Sequence, residues 1–142
     1  YIMSTEGQAV VEEEGYIPVS DVEAFTSTNP SGSVTISGSS SVSPLMEKLK
    51  EGYEAVNSNV TIELQTSDST TGMNNTMNGM CDIGMASREL KQEELDAGLV
   101  NTVIATDGIA IIVNNESPIT DLTTEQVRDI YLGNITDWSE LG

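Results

Sequence analysis

Val34-Thr35-Ile36-Ser37-Gly38-Ser39-Ser40-Ser41-Val42-Ser43-Pro44-Leu45-Met46 is the stretch from which the fold can be read. Its first four residues alternate apolar and polar, the period of a strand with one buried face. Gly38 to Ser43 is a loop of glycine and hydroxyl residues, with Val42 as its one apolar member. Pro44 has φ already fixed near the helical value and no N–H to satisfy, so it marks the first turn of a helix. Leu45, Leu49, Tyr53 and Val56 follow at i, i+4, i+8 and i+11 and give that helix one buried face. The unit is strand, short hydroxyl loop, helix.

The same rhythm continues downstream. Val60–Leu64 alternates again, 65–70 is a polar loop, and 71–78 reads as a helix with Met73 and Met77 inward. Residues 82–85 form a short buried strand, 87–97 a loop and helix, and Val103–Ile104 and Ile109–Val113 two strands flanking Asp107-Gly108. Thr123-x-x-Gln126 is a capping-box pattern, Val127, Ile130 and Tyr131 are the apolar face behind it, and Gly133 ends that helix. Upstream, 4–14 reads as a helix capped by Ser4 or Thr5 and stopped by Gly15, and Tyr16–Val19 is extended. The Ser/Thr/Asn/Pro-rich stretch 20–32 reads as a linker. Strands alternating with helices predict an α/β fold with a mainly parallel sheet flanked by helices.

Composition narrows the chemistry. The chain has 142 residues, enough for a domain with a real core, and no apolar run approaches the ~20 residues of a membrane-spanning helix. Its net charge is -18, with five cations, so no basic patch for nucleic acid can be assembled. With no histidine and a single cysteine, Cys81, the common zinc sites, a Ser-His or Cys-His nucleophile pair and an internal disulfide are excluded. No cofactor is expected.

An acidic chain can still bind an anion through neutral donors. Ser39, Ser40, Ser41, Val42 and Ser43 precede a helix whose first N–H groups are unpaired and carry the positive end of its dipole. Ser69, Thr70, Thr71 and Gly72 form a second such loop. In a parallel sheet both loops lie at the carboxyl ends of their strands, where ligands bind in open α/β folds. Spacing alone leaves open two ordinary capped βα loops. Asp82 stands before a buried-looking strand. Facing a cleft, its carboxylate would accept a proton from a protonated oxyanion and repel sulfate, whereas a strand-end cap is the plainer reading. Arg88 is read as a partner for one of the 23 carboxylates or as a ligand contact.

The segments SGSSSVSPLMEKL (37–49), SDSTTGM (67–73), DIGMASRELK (82–91), DGIAIIVN (107–114) and LTTEQVRDIYLGNITDWSELG (122–142) occur in the order seen in PstS-like phosphate-binding proteins, which this chain resembles over roughly residues 33–142. The resemblance implies a type II periplasmic-binding-protein fold, with inorganic phosphate held between two lobes by neutral donors plus one aspartate. It also implies an ABC permease as partner, an extracytoplasmic location (periplasm or cell-surface lipoprotein) and binding without catalysis. Carried over by position, the phosphate contacts are Ser39, Ser40, Ser41, Val42, Ser43, Ser69, Thr70, Thr71 and Gly72, with Asp82 as the acceptor. The family's second-lobe loop, an Arg followed by a Ser-Gly-Thr run, does not occur in these 142 residues. Residues 1–19 resemble the end of such a protein. The expected organisation is therefore a tandem junction: 1–19 the tail of a preceding unit, 20–32 a linker, 33–106 a first lobe, and 107–142 a hinge strand and the beginning of a second lobe. An anion-sensing or adhesive module built on the same lobe is the alternative, and unmatched apolar surface in 107–142 would favour self-association.

Overall fold

The computed structural model describes residues 1–141, which fall into two units, Tyr1–Gly108 and the segment beginning at Ile109. The first unit runs α1 (Thr5–Glu13), β1 (Ile17–Pro18), β2 (Gly32–Ser39), α2 (Ser43–Val56), β3 (Val60–Ser67), α3 (Ser69–Met77), β4 (Ile83–Met85), α4 (Gln92–Asp96) and β5 (Ala105–Thr106). β2 is the central strand of a three-stranded sheet ordered β3-β2-β4. Both pairings are parallel, from Gly32↔Val60 to Ser39↔Ser67 on one side and from Ile36↔Ile83 to Gly38↔Met85 on the other. Parallel neighbours need a crossover, and α2 and α3 supply the two. The α/β class and the parallel sheet flanked by helices are as the alternation predicts.

The core is built from Ile36 of β2, Leu45, Met46 and Leu49 of α2, Val60 and Ile62 of β3, Met85 of β4 and Val11 of α1. Val11 is 0% exposed. Residues 1–19 are thus part of this unit's core. Gln8 ties them in: its amide N–H groups donate to the carbonyls of Ile2 (2.8 Å) and Ile104 (3.0 Å), and its Oε1 accepts from the Val19 N–H (2.8 Å). β1 pairs antiparallel with β5, Ile17 opposite Thr106. The 20–32 stretch has little regular structure, yet it is anchored. Phe25 packs edge-on against Tyr1 and Tyr53, with ring centroids 5.3 and 5.9 Å apart, and its N–H donates to the Glu6 carboxylate at 2.7 Å.

Several expectations shift. β2 runs through Gly38 to Ser39 and β3 through to Ser67, so the loops before α2 and α3 are shorter than their composition suggests. The strand expected at Val103–Ile104 lies at Ala105–Thr106, where β1 offers a partner, and Ile109–Val113 forms no strand. Val56 and Met77, assigned to buried faces, are 51% and 37% exposed. Each is the last residue of its helix.

In the second unit α5 spans Thr124–Leu132. The Thr123 hydroxyl accepts from the Gln126 N–H (3.2 Å), and the Gln126 side chain accepts from the Thr123 N–H (2.8 Å), as the capping box predicts. Gly133 ends the helix at φ 76°, a left-handed conformation that only glycine adopts without penalty. A 3-10 helix follows at Trp138–Leu141.

Candidate anion-binding site

β2, β3 and β4 are parallel and in register, so their carboxyl ends lie side by side; β2 ends in Ser39, β3 in Ser67, and Ser87 stands two residues past the end of β4. The Ser39 hydroxyl, almost fully buried, donates to Ser87 Oγ at 3.0 Å. The Ser87 N–H donates to Ser69 Oγ at 3.2 Å, and the two hydroxyl oxygens stand 3.4 Å apart. Thus the ends of β2 and β4 and the start of α3 meet in one hydroxyl cluster. The Ser40 N–H donates to the Ser67 carbonyl (2.9 Å), which binds the first loop to the end of β3.

The helix that follows the first loop opens toward this rim. Val42 is the N-cap of α2, and no side chain caps the helix. Pro44 has no N–H, so the Ser43 and Leu45 N–H groups are the first-turn donors left without a side-chain cap. Ser40 and Ser41 are exposed at the loop tip. Ser43 is buried and committed: its hydroxyl donates to the Ser39 carbonyl (3.1 Å) and lies 2.8 Å from Thr66 Oγ1. It shapes the loop. α3 differs, because Asp68 is its N-cap. The Asp68 carboxylate accepts from the Thr71 N–H (3.0 Å) and the Thr71 hydroxyl (2.6 Å). Those bonds, the hydroxyl one foremost, hold its carboxyl below the usual range. Gly72 serves packing: a Cβ there would sit 2.6 Å from Gly38 Cα and 2.7 Å from the Ser37 carbonyl oxygen.

Asp82 is not in the cluster. Its N–H donates to the Thr35 carbonyl and its carboxylate accepts from the Thr35 N–H, each at 2.8 Å. It therefore clasps β2 at the amino end of β4. Four residues of β2 separate Thr35 from Ser39, about 13 Å along a strand. In a parallel sheet the residue before a strand lies at the end opposite the ligand loops, so the role of proton acceptor assigned to Asp82 does not fit its place.

Ser87 is the member of the hydroxyl cluster that sequence reasoning missed. The rule that found the first two loops, hydroxyls just after a parallel strand, applies equally to β4 and picks out Ser87. Arg88, left between two roles, is paired. Its guanidinium makes two bonds to Glu94, Nη1–Oε2 at 2.9 Å and Nη2–Oε1 at 2.8 Å, and Nη2 also donates to Thr70 Oγ1 at 3.3 Å. A cavity of about 470 Å3 runs along β4, lined in part by Asp82, Ile83, Met85, Arg88, Leu99 and Ile104.

A parallel sheet whose carboxyl ends carry a rim of uncharged donors is an arrangement suited to holding an anion. The chain belongs to the PBP superfamily, whose family described as "PBP superfamily domain" matches residues 23–142. It is 53% identical over 141 residues to "Phosphate-binding protein PstS 2" of Streptococcus agalactiae, a match covering 99% of this chain and 48% of that protein. The chain thus spans about half the length of the curated relatives it matches most fully. Among solved structures, a phosphate-binding protein of a phosphate ABC transporter from Streptococcus pneumoniae superposes with a TM-score of 0.90 at 37% identity, covering 99% of this chain and 55% of that one. A putative phosphate ABC transporter substrate-binding protein from Clostridium perfringens, solved with bound phosphate, gives a TM-score of 0.62 at 49% identity, covering 78% of this chain and 46% of that one.

Proposed function

We propose that this chain forms part of a receptor that captures inorganic phosphate for an ABC importer. The observation that carries the reading is the meeting of Ser39, Ser69 and Ser87 within 3.0–3.4 Å beside the uncapped N-terminus of α2. Uncharged donors suit a site that must bind and release an anion, and binding at strand ends breaks no bond. The fully matched relatives' names support phosphate as the ion. The partners of the whole polypeptide are then a membrane permease and phosphate, and its location is extracytoplasmic, in the periplasm or on the cell surface. Residues 33–106 are the first lobe. Residues 107–142 begin the second, whose Arg and Ser-Gly-Thr loop would complete the ion's shell from elsewhere in the polypeptide.

Residues 1–19 are best placed in this same unit. They fill its core, and the S. agalactiae relative matches them together with 33–142; since 141 residues are 48% of its length, it is about 290 residues long. The B. subtilis PstS, of which 114 matched residues are 38%, is about 300 long. A relative of the first length holds one such unit, not two, which argues against a tandem junction.

The test is calorimetric titration of the whole polypeptide with phosphate and with sulfate. Phosphate binding is expected, and binding of sulfate without phosphate would overturn the choice of ion. Binding of neither ion would favour the adhesive alternative and overturn the proposal.

A further inference from the structure

Glu94 carries a carboxylate in an almost fully buried position, 2% exposed, where an unpaired charge would be costly. Both oxygens are engaged. Oε1 accepts from Arg88 Nη2, and Oε2 accepts from Arg88 Nη1 and from the Lys91 N–H at 2.8 Å. Arg88 has five N–H donors. Two go to Glu94, one to the Glu89 carbonyl (2.9 Å) and one to Thr70 Oγ1, which leaves only Nε–H uncommitted. Its fork is already filled, so it does not offer a bidentate grip to a ligand.

What the guanidinium does is fix the direction of a hydroxyl. A hydroxyl carries one proton and can also accept. Thr70 Oγ1 accepts from Arg88, so its own proton points elsewhere, and Thr70 is exposed in the first turn of α3 beside Ser69. The same polarity recurs in the cluster: Ser87 Oγ accepts from Ser39, and Ser69 Oγ accepts from the Ser87 N–H. Thr70 thus keeps its proton to give, and Ser69 and Ser87, whose oxygens stand 3.4 Å apart, share one proton between them and keep the other.

Resting on the phosphate reading of this rim, we infer that Arg88, clamped by buried Glu94, is a positioning residue that turns the Thr70 hydroxyl into a donor to the bound oxyanion. The rim is thereby biased toward ligands that are all acceptor on the side that faces it. Neither residue needs to touch the ion.

The experiment is a double-mutant cycle in the whole polypeptide, read by calorimetric titration with inorganic phosphate and by thermal melting. Arg88→Lys keeps the charge but loses the planar fork. It should weaken phosphate binding about tenfold, the equivalent of ~1.4 kcal/mol. Thr70→Val should weaken it by a similar factor, and the double variant should bind no more weakly than Thr70→Val alone. In Thr70→Ser, which keeps the hydroxyl, Arg88→Lys should again cost about tenfold. The melting temperature lost to Arg88→Lys should differ between backgrounds by no more than the single Arg88–Thr70 hydrogen bond, while the affinity loss vanishes in Thr70→Val, which separates positioning from stability. If Arg88→Lys does not fold, Glu94→Gln takes its place in the cycle with the same expected pattern. Affinity losses that add, or an affinity untouched by the Arg88 or Glu94 variant, would overturn the inference and leave the phosphate reading standing. An unmutated protein that binds no phosphate would overturn both.

Discussion

Replacing Gly72 by alanine tests the link between packing and site, because α3 meets the sheet there with no room for a side chain. The new Cβ would stand 2.6 Å from Gly38 Cα and 3.1 Å from the Met85 carbonyl oxygen, against rigid backbone on two strands. Carbon atoms pack at ~3.5–4.0 Å, so α3 must retreat by about 1 Å. Overpacking of this kind costs about 1–3 kcal/mol. In a unit of roughly 100 residues that is a fall of about 4–8 °C in Tm for each kcal/mol. The retreat carries Ser69 with it. The bond from the Ser87 N–H to Ser69 Oγ is already 3.2 Å, and another ångström takes it beyond hydrogen-bonding range. Gly72→Ala should therefore lower stability and phosphate affinity together, read by urea denaturation and calorimetric titration of the same preparation. A variant that keeps full stability, or loses it while binding phosphate as before, would refute the coupling of α3 packing to the rim.

Three further outcomes follow from the same geometry. Asp82→Ala should leave the phosphate-to-sulfate affinity ratio unchanged in competition titrations and lower stability by about 1 kcal/mol, because it removes only the clasp on the Thr35 N–H. Val11→Ala should cost about 1.5–3 kcal/mol in denaturant unfolding, the worth of a fully buried valine, if residues 1–19 belong to this core. The Arg88 guanidinium, with the Lys91 N–H, holds the Glu94 carboxyl at about 2, down from 4.5. A depressed carboxyl stabilises the fold above its unfolded pKa and loses that contribution as pH falls through the folded one. The melting-temperature gap between wild type and Glu94→Gln should thus be full above pH 4.5 and close as pH falls toward about 2.

Periodicity was enough for the central βαβαβ run, because Val34–Ser37 and Val60–Leu64 alternate cleanly and Pro44 marks its helix. It failed where pairing decides. Ala105–Thr106 is a strand because β1 lies opposite, and no local signal announces a partner some 90 residues earlier in the chain. Hydrophobic spacing likewise overreached at Val56 and Met77, each the last residue of its helix. The hydroxyl loops were legible from their place after strands. Asp82 was misplaced because its type suggested an acceptor while its position, before a strand, put it at the wrong end of the sheet. The pair of half-buried Arg88 and buried Glu94 joins residues six apart across a loop, a contact that charge counting in a chain with 23 carboxylates could not single out.

The most direct test of the phosphate rim is a phosphate titration of the 15N-labelled whole polypeptide, followed by the amide resonances of both ends of the sheet. The account predicts that Ser41, Ser43, Ser69, Thr70 and Ser87 shift with one common binding curve while Thr35 and Asp82 stay in place. Shifts centred on Thr35 and Asp82, or a rim that does not respond to phosphate, would contradict it.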